Sequence, residues 1–187
     1  EKACICQFIT RVNNRVKVVV LQHPSEVKQA KGTLTLLAKS LSHCQVIIGE
    51  DFTDNPDLMQ VLAQYKNRAY LLYPSEHAQL VPCSSELAEK AEDYCIILLD
   101  GTWKKAYRMF MLSSPLHSIE HCRLPQDIKG QYLIRSTHKA NALSTLEACC
   151  YALEIFEQAE TRYAGLLASF NRFNQFQLTF SQPPIKD

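Results

Sequence analysis

Tyr94-Cys95-Ile96-Ile97-Leu98-Leu99-Asp100-Gly101-Thr102-Trp103 is the stretch whose reading decides the fold. Its first part is apolar throughout, the pattern of a strand buried on both faces. Asp100, Gly101 and Thr102 then turn directly into a helix predicted from Trp103 to about Leu112, with Asp100 or Thr102 available as its cap. A buried strand followed at once by a helix is the alternation of an α/β chain.

The rest of the chain repeats that alternation. Residues 16–21 (VKVVVL), 44–48 (CQVII) and 69–73 (AYLLY) read as further strands, and 118–122 as a short fifth. Helices are predicted over 33–42, from the Asn55-Pro56 start to about Tyr65, around 86–91, and from Ser144 almost to Phe180 with a break near Gly165. The expected fold is α/β, a mostly parallel sheet with flanking helices and a long helical C-terminal segment. Residues 1–187 read as a single domain, of which 1–10 hold a short cysteine motif and 144–180 the C-terminal helices. Ligands of such sheets bind at the carboxyl ends of the strands. Three segments emerge there: His23 to Glu26, Tyr73 to Ser75, and Asp100 to Trp103.

Composition narrows the function class. The formal net charge is +1, so a protein that coats duplex nucleic acid by bulk charge is not indicated. Any nucleic-acid contact must come from local clusters, such as Lys104, Lys105 and Arg108, or Arg135, His138 and Lys139; a solvated face is the plainer reading of each. No apolar run approaches the roughly 20 residues that span a bilayer, and no membrane partner is expected. The eight cysteines are not read as a disulfide framework, because Cys44 and Cys95 lie in strand-like runs and Cys149-Cys150 lie mid-helix. A reducing cytoplasm is the expected compartment.

Asp-Gly-Thr-Trp after an apolar strand resembles the signature for which the DTW-domain family is named. Other segments resemble that family in the right order: Gln22-His23-Pro24-Ser25-Glu26 with Thr33, Tyr73-Pro74-Ser75, and Leu143-Ser144-Thr145-Leu146-Glu147-Ala148. Gly32 departs from the family's usual Asn, and Cys4-Ile5-Cys6 matches only the second half of its cysteine motif. The resemblance implies an aminocarboxypropyltransferase acting on tRNA, with S-adenosylmethionine as donor. It also implies kinship with SPOUT-type enzymes and their trefoil knot, whose loops would wrap the donor.

On that resemblance the donor-binding residues are Tyr73, Pro74, Ser75, Leu99, Asp100, Gly101, Leu133, Arg135, Ser144 and Thr145, with the 131–144 region closing over the donor. Asp100, Thr102 and Trp103 are the catalytic candidates: Asp100 as base or as the group that orients uracil N3–H, Trp103 as a stacking platform or a core residue. Arg135 suits the donor carboxylate or an RNA phosphate. Lys104, Lys105, Arg108 and Lys139 would meet RNA. Glu147 is expected to complete a capping box with Ser144, and His23 and Glu26 to hold their own turn. Cys4 and Cys6 supply two of the four ligands that a structural zinc needs in a longer chain. The competing expectations are a SPOUT-type methyltransferase using the same donor and a non-catalytic RNA-binding or zinc-linked adaptor. The tRNA species, the uridine position and the oligomeric state are not written in the sequence.

Overall fold

A computed structural model describes residues 4–27, 33–126, 128 and 143–179. Its centre is a sheet of six strands: β1 (Lys17–Gln22), β2 (Cys44–Ile48), β3 (Ala69–Leu72), β4 (Gln79–Leu80), β5 (Cys95–Asp100) and β6 (Glu120–Arg123). They lie in the order β2-β1-β5-β3-β6-β4, and every pairing is parallel. β5 sits between β1 and β3, in register with β1 from Lys17↔Cys95 to Gln22↔Asp100. The apolar run of the opening decapeptide is therefore an interior strand, as its pattern predicts.

Helices cover both sheet faces: α1 (Thr33–Ser40), α2 (Pro56–Tyr65), α3 (Ser85–Glu89), α4 (Trp103–Leu112), α5 (Ser114–His117), α6 (Thr145–Glu157) and α7 (Ala164–Thr179). Side chains alternate across a strand, so β1 and β5 each feed two cores. Val18, Val20, Ile96 and Leu98 pack with buried residues of α1, α6 and α7, among them Leu37, Leu153 and Phe170. Val19, Leu21, Cys95 and Ile97 pack with Leu58 and Val61 of α2, Met109 of α4 and Leu116 of α5. Burying each such aliphatic side chain stabilises by about 1.5–3 kcal/mol.

Local chemistry places most helix starts where the sequence puts them. Asn55 accepts from the Leu58 amide at 3.0 Å, with Pro56 in the first turn. Ser144 caps α6 in a reciprocal box: its hydroxyl accepts from the Glu147 amide and donates to the Glu147 carboxylate, which also accepts from the Ser144 amide at 2.8 Å. Because Glu147 is buried, Ser144→Ala is expected to cost about 2 kcal/mol, the upper end for cap removal, measurable as a lower denaturation midpoint with an unchanged slope.

Two boundaries differ in detail from expectation. The C-terminal break expected near Gly165 ends just before it, since Gly165 lies in the first turn of α7. It falls between α6 and α7, where Gln158 takes the left-handed conformation (φ 49°) that ends a helix. Gly165 instead faces Thr10, whose methyl group would lie 3.5 Å from an added Cβ. The fifth predicted strand begins two residues later, at Glu120, because Ser118 closes the short helix α5. The expected helical end at Phe180 lies outside the described residues.

Candidate active site at the strand ends

Parity decides where Asp100 points. It shares a face with Ile96 and Leu98, so its carboxylate is directed toward α6. There the Thr145 hydroxyl donates to Oδ1 at 2.7 Å. From the neighbouring strand end, Gln22 Nε2 donates to Oδ2 at 3.1 Å. The Asp100 carbonyl accepts from the His23 amide at 3.0 Å, which welds the β1 and β5 exits together. Both carboxylate oxygens are thus acceptors, and two side chains from separate elements hold the group in one orientation.

Gly101 follows at a close approach. A Cβ there would come within 3.1 Å of Lys105 Cβ, so a side chain would press on the first turn of α4, whereas His23 Cβ, at 3.6 Å, lies at ordinary contact distance. Thr102, not Asp100, caps α4: its hydroxyl accepts from the Lys105 amide at 3.4 Å. Trp103 is 64% exposed, which overturns the core reading of this residue. Its indole stands at the start of α4, three residues beyond the held carboxylate.

The 23–26 turn does hold itself. The Ser25 amide donates to His23 Nδ1 at 3.2 Å, so this nitrogen is an acceptor and the proton sits on Nε2, which faces Glu50 at 3.3 Å. Glu50 Oε1 also accepts from Arg108 Nε at 2.7 Å, and Glu26 accepts from Lys105 Nζ at 2.6 Å. Two of the expected RNA contacts, Lys105 and Arg108, are therefore already bridged to carboxylates. Lys104 is exposed and has no partner among the described residues.

Tyr73, Pro74 and Ser75 leave β3 as expected and are anchored elsewhere. Tyr73 stacks on Phe110 of α4 at 4.8 Å between centroids; burial, with Tyr107 beside it, pushes its phenol above the usual range. Pro74 is exposed. The Ser75 amide closes a tight turn on the Tyr73 carbonyl at 2.8 Å. Its hydroxyl lies 2.7 Å from His121 Nδ1, while His121 Nε2 reaches the Leu116 carbonyl at 2.9 Å. A carbonyl only accepts, so Nε2 carries the proton of the neutral ring and Ser75 donates to Nδ1. Leu99 points the other way from Asp100 and packs with the α2–α4 core. Leu133, Arg135 and Lys139 lie outside the described residues, as do Gly32, His138 and most of the 131–144 region.

Cys4 and Cys6 are exposed, and hydrogen bonds from the Cys6 amide and thiol lower the Cys4 pKa. No group of three or more candidate ligands gathers among the described residues, so these two thiols do not by themselves fit a closed zinc site. Cys95, Cys122, Cys149 and Cys150 are buried in apolar surroundings, which push the Cys95 and Cys122 thiols up to about 12. No described helix is long and apolar enough to cross a membrane.

Gln22, Glu50 and His121 are the site residues that sequence reasoning misses. Gln22 had one legible signal: it is the polar residue that closes an apolar strand beside the strand carrying Asp100.

The DTW-domain family model matches residues 1–178, which include every segment placed above. The chain belongs to the DTW-domain family. Curated relatives named tRNA-uridine aminocarboxypropyltransferase 2 share 30% identity over 95% of the chain (Macaca fascicularis), 29% over 95% (Mus musculus) and 30% over 87% (Drosophila melanogaster). The chain spans 61%, 61% and 64% of those relatives' own lengths. No solved structure matches it significantly. Within this DTW domain, the signature residues divide their work: Asp100 turns to α6, Thr102 caps α4, and Trp103 meets solvent.

Proposed function

We propose that this DTW domain transfers the 3-amino-3-carboxypropyl group of S-adenosylmethionine to N3 of a tRNA uridine. The observation that carries the reading is the Asp100 carboxylate, clamped by Gln22 and Thr145 where β5 opens onto the starts of α4 and α6. The relatives' name supplies the reaction class and the uridine.

The reaction makes three demands: a proton acceptor near N3, alignment of N3 with the carbon next to sulfur, and a grip on the donor's amino acid end. N3 forms a bond to that carbon, the carbon–sulfur bond breaks, and its electron pair stays on sulfur. Methylthioadenosine then leaves as a neutral thioether, so no acid is needed at the leaving group. Asp100 takes the N3 proton, or fixes the N3–H for its loss to water; the Thr145 hydroxyl and Gln22 amide hold it against rotation in either role. The Thr145 and Leu146 amides at the start of α6, which helix geometry leaves without intrahelical acceptors, suit the donor carboxylate. Trp103 offers an exposed ring to adenine or to the flipped uracil. Ser75, Leu133 and Arg135 complete the donor side. A cytoplasmic, tRNA-rich setting fits the substrate.

Mass spectrometry of tRNA incubated with the protein and S-adenosylmethionine tests the proposal. A uridine heavier by the aminocarboxypropyl group, with methylthioadenosine as co-product, is the expected result. S-adenosylhomocysteine with a methylated base would make the protein a methyltransferase. Unmodified tRNA and intact donor would leave an RNA-binding module.

A further inference from the structure

Helix α4 leaves half of its circumference to solvent, and the exposed half is ordered. At about 100° per residue, Trp103, Tyr107 and Met111 fall on one flank and Lys104 and Arg108 on the adjoining one, while Ala106 and Met109 face the core. Tyr107 is 57% exposed and Met111 52%, so the apolar flank continues for two turns beyond Trp103. Successive flank residues are separated by about 6 Å along the axis, a spacing that suits unstacked neighbouring nucleotides rather than a closed duplex. Cations beside aromatic faces are the chemistry of single-stranded RNA: the rings take bases and the charges take phosphates.

The geometry points to α4 as a docking ramp for a single-stranded RNA segment, with one base on Trp103, the next on Tyr107, and the backbone tracked by Lys104 and Arg108. This rests on the proposed function for its occupant and adds the surface and the single-stranded form of the substrate. The ramp starts three residues after Asp100, so the strand that lies on it leads to the reacting carboxylate. Arg108 is itself 65% exposed in its side chain, and Glu50 holds its Nε. A phosphate arriving here exchanges one oxygen partner for another and need not remake the helix.

The test is RNA-binding affinity, measured by fluorescence anisotropy with single-stranded oligouridylate, a blunt RNA duplex of equal length, and total tRNA. Tyr107→Ala is expected to weaken binding of oligouridylate and tRNA about tenfold or more with the salt dependence unchanged. Tyr107→Phe should restore affinity, and Lys104→Ala should lower the salt slope by about one. Tyr107 is mostly exposed, so its truncation leaves the cores intact, and an unchanged melting temperature checks this. Equal affinity of Tyr107→Ala and the parent chain overturns the ramp, whatever the transfer assay gives. So does tighter binding of duplex than of oligouridylate. If sedimentation shows a dimer that Tyr107→Ala splits, the face joins two copies and the proposal falls. Conversely, a parent chain that binds oligouridylate through Tyr107 but transfers nothing overturns the proposed function and leaves the ramp standing.

Discussion

Asp100→Asn is expected to lower transfer by about 10²–10⁴, the usual contribution of a positioned proton acceptor. The substitution is close to isosteric, so the fold should be spared. Its amide oxygen can still accept from Thr145, and Gln22 can rotate its own amide to face the new NH₂ with an oxygen. What disappears is the capacity to take a proton. Single-turnover transfer at saturating donor and tRNA, with tRNA affinity measured in parallel, separates chemistry from binding. A smaller loss, about tenfold, is expected for Thr145→Val, which frees the carboxylate to rotate but leaves it in place. Near-normal turnover in Asp100→Asn would remove this residue from the chemistry and with it the argument for the site.

The largest expected effect on stability belongs to Glu157, at the last turn of α6. Its side chain is wholly buried. Oε1 accepts from the amides of Arg15 and Val16, at 2.7 and 3.0 Å, and Oε2 pairs with Arg162. It thus clamps the end of α6 to the chain entering β1. Tyr163, itself fully buried, lies beside it, and desolvation together with the Glu157 charge drives the Tyr163 phenol far above its usual range. Glu157→Ala leaves two amides and a cation without their acceptor, a loss of about 3–5 kcal/mol. That is a large fraction of the total for a domain with about 5–15 kcal/mol of stability. Glu157→Gln keeps an acceptor for the amides and should lose less, since Arg162 is 38% exposed and water screens the lost pair. Guanidinium titrations of the three proteins give the order directly. A Glu157→Ala midpoint equal to that of the parent chain would mean that the clamp contributes nothing.

Elements whose cause is local were legible in the sequence. The Asn55-Pro56 start, the Ser144–Glu147 box and the run into Asp100 each act over a few residues, and all stand where the letters put them. Strand β4 was not legible, because two exposed residues carry no periodicity; it exists only because β6 offers an edge. Helix α5 is a single turn around Pro115 and reads as a loop. The site divides in the same way. The family resemblance brought Asp100, Ser144 and Thr145 together as candidates, but nothing in one dimension shows Thr145 reaching back 45 residues to a particular oxygen. The Lys105–Glu26 and Arg108–Glu50 bridges were invisible for the same reason, so charges that look free in sequence are committed in space. Glu157 is the extreme case: a carboxylate on an apolar helix, explained by two amides about 140 positions away.

The Gln22↔Asp100 register makes the length of β5 indivisible. One residue added between Cys95 and Leu99 would swing the carboxylate to the opposite side of the sheet, away from the Thr145 hydroxyl. Even an indel of two, which restores the facing, would carry the carboxylate about 7 Å past its Gln22 and Thr145 partners, so the central strand tolerates no change of length.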